Sequence, residues 1–255
     1  MGRMLLQEVL RQPEAELAGG VEAPGNPLVG QDLGGLIGAE PIGLTVTDHP
    51  GALFAAADAV IDFTLPAALD AHAELAAQHG TALVVGTTGL DAASLARLAK
   101  AASKTAIVRA ANMSVGVTLL SLLVQQLAAK LGPESFDIEI VEMHHRHKID
   151  APSGTALALA ESAATGRGVA LEEVWRKSRD GQIGPRPKGE IGISTLRGGD
   201  VVGDHTVIFA ADGERIEISH KASSRQIFAR GAVRAAMWAA GRTPGLYSMK
   251  DVLSL

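Results

Sequence analysis

The sequence predicts an α/β protein built from two parts with different architectures. Up to Asn112, short apolar runs alternate with amphipathic runs, which is typical of a parallel sheet with helices on both faces. Beyond Asn112, polar and apolar residues alternate within the runs, and Asp212-Gly213 separates two of them as in a hairpin. Aromatic residues make up only 3% of the chain, which disfavours an all-β sandwich. We therefore expect a Rossmann-like, doubly wound parallel sheet plus an α+β domain with an open mixed sheet.

The elements of the first part follow from local signals. Residues 1–10 have the spacing of an amphipathic helix, and "AELAGGVE" predicts a short strand that ends at Glu22. A loop rich in glycine and proline follows, to about Gly43. Later helices begin at Pro66 and after a candidate cap, Asp91. The remaining strands are predicted over residues 58–64, 81–85 and 104–110.

The second part begins with a long helix, "VGVTLLSLLVQQLAAKLG", which is apolar on more than one side and so is buried or lies at a subunit contact. "FDIEIVEMH" predicts a half-buried strand, Ser153 a helix start, and "RQIFARGAVRAAMWAAG" a last helix. The tail is expected to pack back on the first domain. We expect residues 1–113 and 224–255 to form one domain and residues 114–223 the other.

Composition excludes several classes of protein. The formal net charge of -5 argues against broad nucleic-acid binding. The chain has no cysteine, which excludes disulfides and thiolate metal sites. No apolar run approaches the roughly 20 residues of a membrane span, and no signal peptide is recognisable. We expect a cytoplasmic protein without a membrane partner.

Two glycine- and alanine-rich strand exits predict a nucleotide site in the first domain. Gly86, Thr87 and Thr88 follow one strand, where a doubly wound sheet binds ligands. "RAANMS" ends the next strand, and Asn112 there offers a small amide to a nicotinamide carboxamide. Ordinary turns after a strand have the same residue composition, so the pattern alone does not distinguish a nucleotide site from simple turns.

Glu22 is a more specific signal. An acidic residue ending the second strand of a dinucleotide fold accepts hydrogen bonds from ribose hydroxyls, about 20 residues after the glycine-rich turn. Gly2 stands at that distance and opens a helix, as the last glycine of a phosphate-binding turn does. The preceding strand and the earlier glycines are absent. We therefore expect the central first strand to be missing and the edges of its neighbours to be unpaired.

The stretch "HHRHK", residues 144–148, concentrates positive and titratable side chains beside a capped helix. Ser153 is the candidate cap, and Gly154 and Thr155 place backbone N–H groups at the helix start, which suits an anion. A solvated basic turn and a zinc site are the alternatives; Arg146 and Lys148 disfavour a metal, and we expect none. The combination favours a small substrate with more than one carboxylate.

The motif "HHRHKIDAPSGTA" resembles the signature of the 4-hydroxy-tetrahydrodipicolinate reductase family, also called dihydrodipicolinate reductase, of lysine and diaminopimelate biosynthesis. "IDFT", "VVGTTG", "AANMSVGV", "RGGDVVGDHT" and "HKASSR" occur in the order that the family has, so the resemblance covers the whole chain. It implies NAD(P)H-dependent reduction of 4-hydroxy-tetrahydrodipicolinate, a cyclic dicarboxylate, by a homotetramer built through the second domain's sheet.

The resemblance also implies residue roles. His144 resembles the proton donor and acceptor, Lys148 a proton donor, and His145, Gly154 and Thr155 the contacts to substrate carboxylates. The implied cofactor contacts are Met1, Gly2, Glu22, Gly86, Thr87, Thr88, Ala110, Ala111, Asn112 and Met113.

The sequence departs from the family pattern at the adenosine end of the cofactor. Most of the glycine turn before Gly2 is absent, which leaves a second hypothesis open: a truncated, non-catalytic member that keeps the substrate site but binds cofactor poorly. Ala23 and Leu65 stand where family members often carry arginine. Both changes remove positive charge that would meet a 2′-phosphate, so we expect a preference for NADH over NADPH.

Overall fold

The computed structural model describes residues 1–255 and divides into two compact units. The first comprises Met1–Ser114 with Gln226–Leu255, and the second Val115–Arg225. The helices, in chain order, are α1 (Gly2–Val9), α2 (Pro50–Ala56), α3 (Pro66–His79), α4 (Ala92–Ala101), α5 (Val115–Lys130), α6 (Gly154–Arg167), α7 (Leu171–Val174), α8 (Gln226–Ala239) and α9 (Met249–Val252). The strands are β1 (Gly20–Val21), β2 (Val46–Thr47), β3 (Ala59–Asp62), β4 (Ala82–Val85), β5 (Ala106–Arg109), β6 (Asp137–His144), β7 (Trp175–Arg176), β8 (Ile191–Arg197), β9 (Gly203–Ala211), β10 (Glu214–Ala222) and β11 (Gly245–Tyr247).

The strands of the first unit are all parallel and form two sheets. One has the order β11-β5-β4-β3, and β1 pairs with β2 in the other. β1 and β3 therefore each have a single sheet neighbour. β4 is buried at every position, as a central parallel strand should be. The tail contributes β11, which pairs with β5 in this unit.

Several boundaries in the first unit differ from the sequence-based expectation. β1 has only two residues, and both β2 and α2 lie after the expected loop, in a region for which no element was predicted. β3 stops at Asp62 because the Asp62 carboxylate accepts the backbone N–H of Thr64 at 2.8 Å, which turns the chain out of the sheet. The Asp91 cap is confirmed, since its side chain accepts the N–H of Ser94.

The second unit is a five-stranded mixed sheet of order β10-β9-β6-β8-β7. β6 runs parallel to β8 and antiparallel to β9, and the hairpin at Asp212-Gly213 joins β9 to β10. α5 and α6 pack against one face of this sheet, with Val207 and Phe209 fully buried beneath them. A Cβ on Gly166 of α6 would overlap the Gln125 carbonyl oxygen, so glycine permits the close approach of the two helices.

The other face of this sheet carries apolar side chains that remain partly exposed. They lie on three neighbouring strands: Val141, Met143, Leu196 and Ile208. Leu196 is 49% exposed. In the whole chain, no helix is both long enough and apolar enough to cross a membrane.

Candidate active site

The centre of the His-rich motif is a buried carboxylate that the motif itself does not contain. β6 alternates between its two faces, so Glu142 and His144 point to the helix-covered side together with Ile140. The Glu142 side chain has no exposed surface, and its Oε2 lies 2.6 Å from His144 Nδ1. An ionised carboxylate can only accept a hydrogen bond, so Nδ1 carries the proton and Nε2 is the remaining titratable nitrogen.

Arg197 at the end of β8 keeps this carboxylate ionised. Parallel pairing of β6 with β8 places His144 opposite Arg197. The guanidinium Nη1 and Nη2 donate to the two oxygens of Glu142 at 2.9 and 3.0 Å. Burial alone raises the pKa of Glu142, but hydrogen bonds from Arg197 and His144 outweigh it and hold the pKa below its usual value.

The same carboxylate also holds the start of α6. The backbone N–H of Ser153 donates to Glu142 Oε1 at 3.0 Å. The Ser153 hydroxyl accepts the N–H of Ala156 at 3.1 Å, which confirms Ser153 as the N-cap. Gly154 and Thr155 are the first two residues of this helix, so their N–H groups lie at the positive end of its dipole.

Lys148 belongs to the turn that follows β6. Its Nζ donates to Asp150 Oδ1 at 2.7 Å, and this ion pair lowers the pKa of Asp150 below its usual value. Arg197 Nη2 donates to the backbone oxygen of Asp150 at 2.6 Å, so the guanidinium fixes the turn as well as Glu142. The backbone N–H of His145 donates to Val201 O at 2.7 Å.

Gly203 and His205, both on β9, lie against the His144 ring. A Cβ on Gly203 would stand 2.9 Å from His144 Nε2, so glycine leaves room for this ring. The ring of His205 contacts that of His144 edge-on at a centroid distance of 5.1 Å, and its Nε2 lies 3.0 Å from Ser153 Oγ. Burial, followed by the nearby His144, lowers the pKa of His205 to about 4, so His205 is neutral at physiological pH.

The structure thus brings His144, Lys148, Gly154 and Thr155 together through groups that sequence reasoning missed. These are Glu142, Arg197, Gly203 and His205. One signal was available: in "FDIEIVEMH", Glu142 falls on the same register as the buried isoleucines, and a carboxylate there requires partners. Which residue of β8 supplies the cation, and which residues of β9 lie against His144, depends on strand register.

In the first unit, the predicted loop Gly86–Thr88 follows the carboxyl end of β4. Asp62, at the end of the adjacent β3, accepts the Thr87 hydroxyl at 2.9 Å and the Thr64 hydroxyl at 2.7 Å. Its second oxygen lies 2.7 Å from His72 Nδ1. Burial raises the pKa of Asp62, but hydrogen bonds from His72 and Thr64 outweigh it, and the pKa lies below its usual value. Thr87 is buried and Thr88 is exposed, so of the two hydroxyls only that of Thr88 faces solvent.

Residues 110–113 form a second turn, at the exit of β5. The Asn112 side-chain oxygen accepts the N–H of Ser114 at 2.8 Å, which shapes the turn. Ala110 and Ala111 are at least partly exposed, whereas Met113 is buried. A Cβ on Gly231 of α8 would overlap the Met113 carbonyl oxygen, so this turn rests directly on the helix backbone.

Glu22 follows β1 directly and is exposed, and its carboxylate accepts from Asn26 Nδ2 at 3.1 Å. Met1 is the N-cap residue of α1, and Gly2 is the first residue of that helix. A Cβ on Gly2 would meet no atom within 4 Å, so the space beside it is open. Three of the four predicted cofactor segments thus follow β1, β4 and β5, at the carboxyl ends of parallel strands, and the fourth stands at the start of α1. No group of three or more His, Asp or Glu side chains is arranged to hold a metal ion.

Comparisons with known proteins identify the family of the chain. The family model for the N-terminus of dihydrodipicolinate reductase matches residues 1–113, and the model for its C-terminus matches residues 116–253. A 4-hydroxy-tetrahydrodipicolinate reductase of Dinoroseobacter shibae is 55% identical over the whole chain, which spans 94% of that relative. One from Cereibacter sphaeroides is 57% identical with the same coverage.

Among solved structures, the dipicolinate-bound dihydrodipicolinate reductase from Paenisporosarcina sp. TG-14 has the same fold. The TM-score is 0.75 at 23% identity, over 98% of this chain and 94% of that one. Both family models and the relatives that match over the full chain indicate the same family. The chain belongs to the 4-hydroxy-tetrahydrodipicolinate reductase family, a family of oxidoreductases in lysine and diaminopimelate biosynthesis.

Proposed function

We propose that His144 Nε2 supplies the proton in the reduction that this family carries out, with Lys148 assisting. In the overall reaction, 4-hydroxy-tetrahydrodipicolinate gains a hydride and a proton and loses water, which gives tetrahydrodipicolinate. The observation that carries the assignment is the hydrogen bond from His144 Nδ1 to the buried Glu142, which leaves Nε2 to exchange a proton. Lys148 stabilises negative charge that develops on the substrate, or donates the proton itself.

The substrate's carboxylates are assigned to His145 and to the start of α6. Gly154 and Thr155 belong to a 14-residue helix whose N-terminus favours an anion. The solved relative from Paenisporosarcina sp. TG-14 binds dipicolinate, a small cyclic dicarboxylate, which supports a ligand of this class. Arg197 adds positive charge beneath this region but is already paired with Glu142.

The first unit fits a pyridine nucleotide. The strand exits offer an exposed carboxylate at Glu22 for ribose hydroxyls, backbone and hydroxyl groups at Gly86–Thr88, and the turn at residues 110–113 for the nicotinamide end. When bound, the nicotinamide supplies the hydride from its C4 atom. Met1 and Gly2, at the start of α1, are assigned to the pyrophosphate.

We further propose that this chain prefers NADH. Glu22 is exposed and bears a negative charge that would repel a 2′-phosphate, and Ala23 beside it supplies no cation. Leu65 precedes α3 and is 72% exposed, so a positive side chain would be tolerated there but is absent. Comparing kcat/KM for the two cofactors tests the preference. A strong preference for NADPH would contradict it.

Leu65→Arg is the matched gain-of-function variant for this preference. We expect it to raise kcat/KM for NADPH severalfold, because an exposed charge contributes about 0.2–1 kcal/mol, while kcat/KM for NADH stays unchanged. Leu65→Gln is the uncharged control. An equal rise with both variants would show that charge is not the cause.

The proton-donor role is tested by His144→Ala. We expect kcat to fall by about 10²–10³, the range of a general acid, without loss of the fold. The control is His79→Ala, an exposed histidine at the C-terminal end of α3. Steady-state rates and thermal unfolding measured on both variants separate chemistry from stability. A kcat close to that of the unaltered protein would refute the role.

We also propose a homotetramer, assembled through the open face of the second unit's sheet, and a cytoplasmic location. The apolar residues Val141, Met143, Leu196 and Ile208 on that face support an assembly surface, since a sheet face without a helix over it gains stability when a second copy covers it. Sedimentation equilibrium of the unaltered protein and of Leu196→Glu tests the assembly. A tetramer that persists in the variant would contradict this surface.

A further inference from the structure

Glu142 is more deeply buried than any substrate-binding role requires. It has no exposed surface and lies in the register of the fully buried Ile138 and Ile140. Removing a carboxylate from water costs several kcal/mol unless donors surround it. A leucine at this position would complete the apolar face of the strand. A carboxylate here lowers the stability of the fold relative to leucine, which indicates that it has a role in the site.

The donors to Glu142 connect it, directly or through Arg197, to every segment that carries a proposed substrate residue. His144 Nδ1 donates at 2.6 Å, and the Ser153 N–H, at the start of α6, donates at 3.0 Å. Arg197 donates through two nitrogens and extends to the backbone of Asp150, whose side chain accepts from Lys148. One carboxylate thus connects the proton donor, the helix start and the lysine turn.

The His144 ring is also limited on its other side. A Cβ at position 203 would lie too close to His144 Nε2, so only glycine fits beside the ring. The His205 ring lies edge-on to it at a centroid distance of 5.1 Å. The charged and titratable groups packed around His144 are Glu142, Arg197 and His205, with Lys148 and Asp150 on the adjoining turn. Of these, only Glu142 hydrogen-bonds to a nitrogen of the ring.

We propose that Glu142 is the positioning residue of this site and acts through His144. It holds the proton on Nδ1, so that Nε2 is the nitrogen available for proton transfer to the substrate. The inference rests on the proposed role of His144. In Glu142→Gln, the amide oxygen is needed at the place of Oε1, where Ser153 N–H and Arg197 Nη2 donate. The amide nitrogen then takes the place of Oε2 and donates to Nδ1 instead of accepting from it, so the imidazole carries its proton on Nε2. A neutral ring with its proton on Nε2 cannot accept a proton at that nitrogen, even though the position of the ring in the fold is unchanged.

The first test reads the tautomer directly. In the ¹⁵N spectrum of histidine-labelled protein above pH 8, we expect His144 to show Nδ1–H in the unaltered chain and a mixture rich in Nε2–H in Glu142→Gln. His144→Ala identifies the resonance. This measurement requires neither cofactor nor turnover, so it stands even if His144 proves not to be the proton donor. An unchanged tautomer in Glu142→Gln would overturn the proposal.

The second test is a double-mutant cycle on kcat. Glu142→Gln alone should lower kcat by about 10- to 100-fold, the loss typical of a partner that orients a functional histidine. On the His144→Ala background, the same change should cost less than about threefold, because the group it positions is gone. Equal losses on both backgrounds would show that Glu142 does not act through His144.

A second variant guards against misfolding. Glu142→Gln leaves the partly buried Arg197 without its carboxylate partner, whereas Glu142→Gln combined with Arg197→Met removes both charges at once. The double variant should give the same tautomer mixture and the same lack of effect on the His144→Ala background. A pure Nδ1–H signal in the folded double variant would contradict the proposal.

Discussion

Each unit holds its candidate site loops with one buried carboxylate that pairs with a histidine, but different donors stabilise the two carboxylates. In the first unit, Asp62 accepts from two threonine hydroxyls, a backbone N–H and His72, with no arginine or lysine among its donors. In the second, Glu142 has a bidentate arginine. Arg197 is a fixed cation, so the ionised state of Glu142 does not depend on His144 alone. Among the side-chain donors to Asp62, by contrast, only His72 can carry a positive charge.

Removing the strongest donor from each carboxylate gives the largest expected difference. Arg197→Met leaves a fully buried carboxylate without its cation, and we expect a loss of about 3–5 kcal/mol in the free energy of unfolding. His72→Leu removes one hydrogen bond to Asp62 and keeps apolar contact with Phe54, so we expect about 1.5–3 kcal/mol. Urea denaturation of both variants measures the difference. Equal losses would mean that the arginine does not compensate Glu142 as the geometry indicates.

The next expected effect is a dependence of stability on pH that comes from the second unit. The pKa of His205 falls from 6.5 to about 4 on folding. Between these values, the unfolded chain binds more protons than the folded chain, so stability rises with pH across this window and is lost as pH falls through it. The full difference is on the order of 3 kcal/mol. The carboxylates with lowered pKa values, Asp62 and Glu142, lose their contribution only at lower pH, as pH falls through their folded-state pKa values.

His205→Gln tests this assignment. The variant removes the titrating group, so its stability between pH 4 and pH 6.5 should vary less than that of the unaltered protein. His220 on β10 also has a lowered pKa, caused mainly by burial, and keeps a smaller slope of the same sign in the variant. Denaturant titrations at several pH values supply the curves. Parallel curves for the two proteins would contradict the burial of a neutral His205.

The two carboxylates also show how far sequence reasoning reaches. The Ser153 cap, the strand ending at His144 and the helix from Pro66 depend on neighbours within a few residues, so local patterns predicted them. The alternation of β6 indicates that Glu142 is buried, but the site predicted from the sequence begins only at the histidines that follow it. Arg197 and His205 were out of reach, because they meet Glu142 and Ser153 through strand pairings between residues far apart in the chain. β1 and β2 have two residues each, too few for a period.

A pair of glycines gives the smallest and most specific comparison. Alanine at position 203 would place its Cβ 2.9 Å from His144 Nε2, and alanine at position 86 would overlap three ring carbons of Phe63, the most distant at 2.8 Å. The His144 ring is held by Glu142, so it can yield only by tilting away from its hydrogen bond. Phe63 is partly exposed and can turn aside, at the expense of the loop that starts at Gly86.

We therefore expect the two substitutions to separate kcat from KM. Gly203→Ala should lower kcat about tenfold, since a small displacement of a reacting group is costly, and should leave KM for NADH unchanged. Gly86→Ala should raise KM for NADH by a similar factor and leave kcat at saturating cofactor nearly unchanged. Steady-state kinetics with both variants measure the split, with unfolding curves as the control for overpacking. If Gly203→Ala turned over at the normal rate, the place of the His144 ring would not matter for the reaction, and Glu142 would be a structural residue alone.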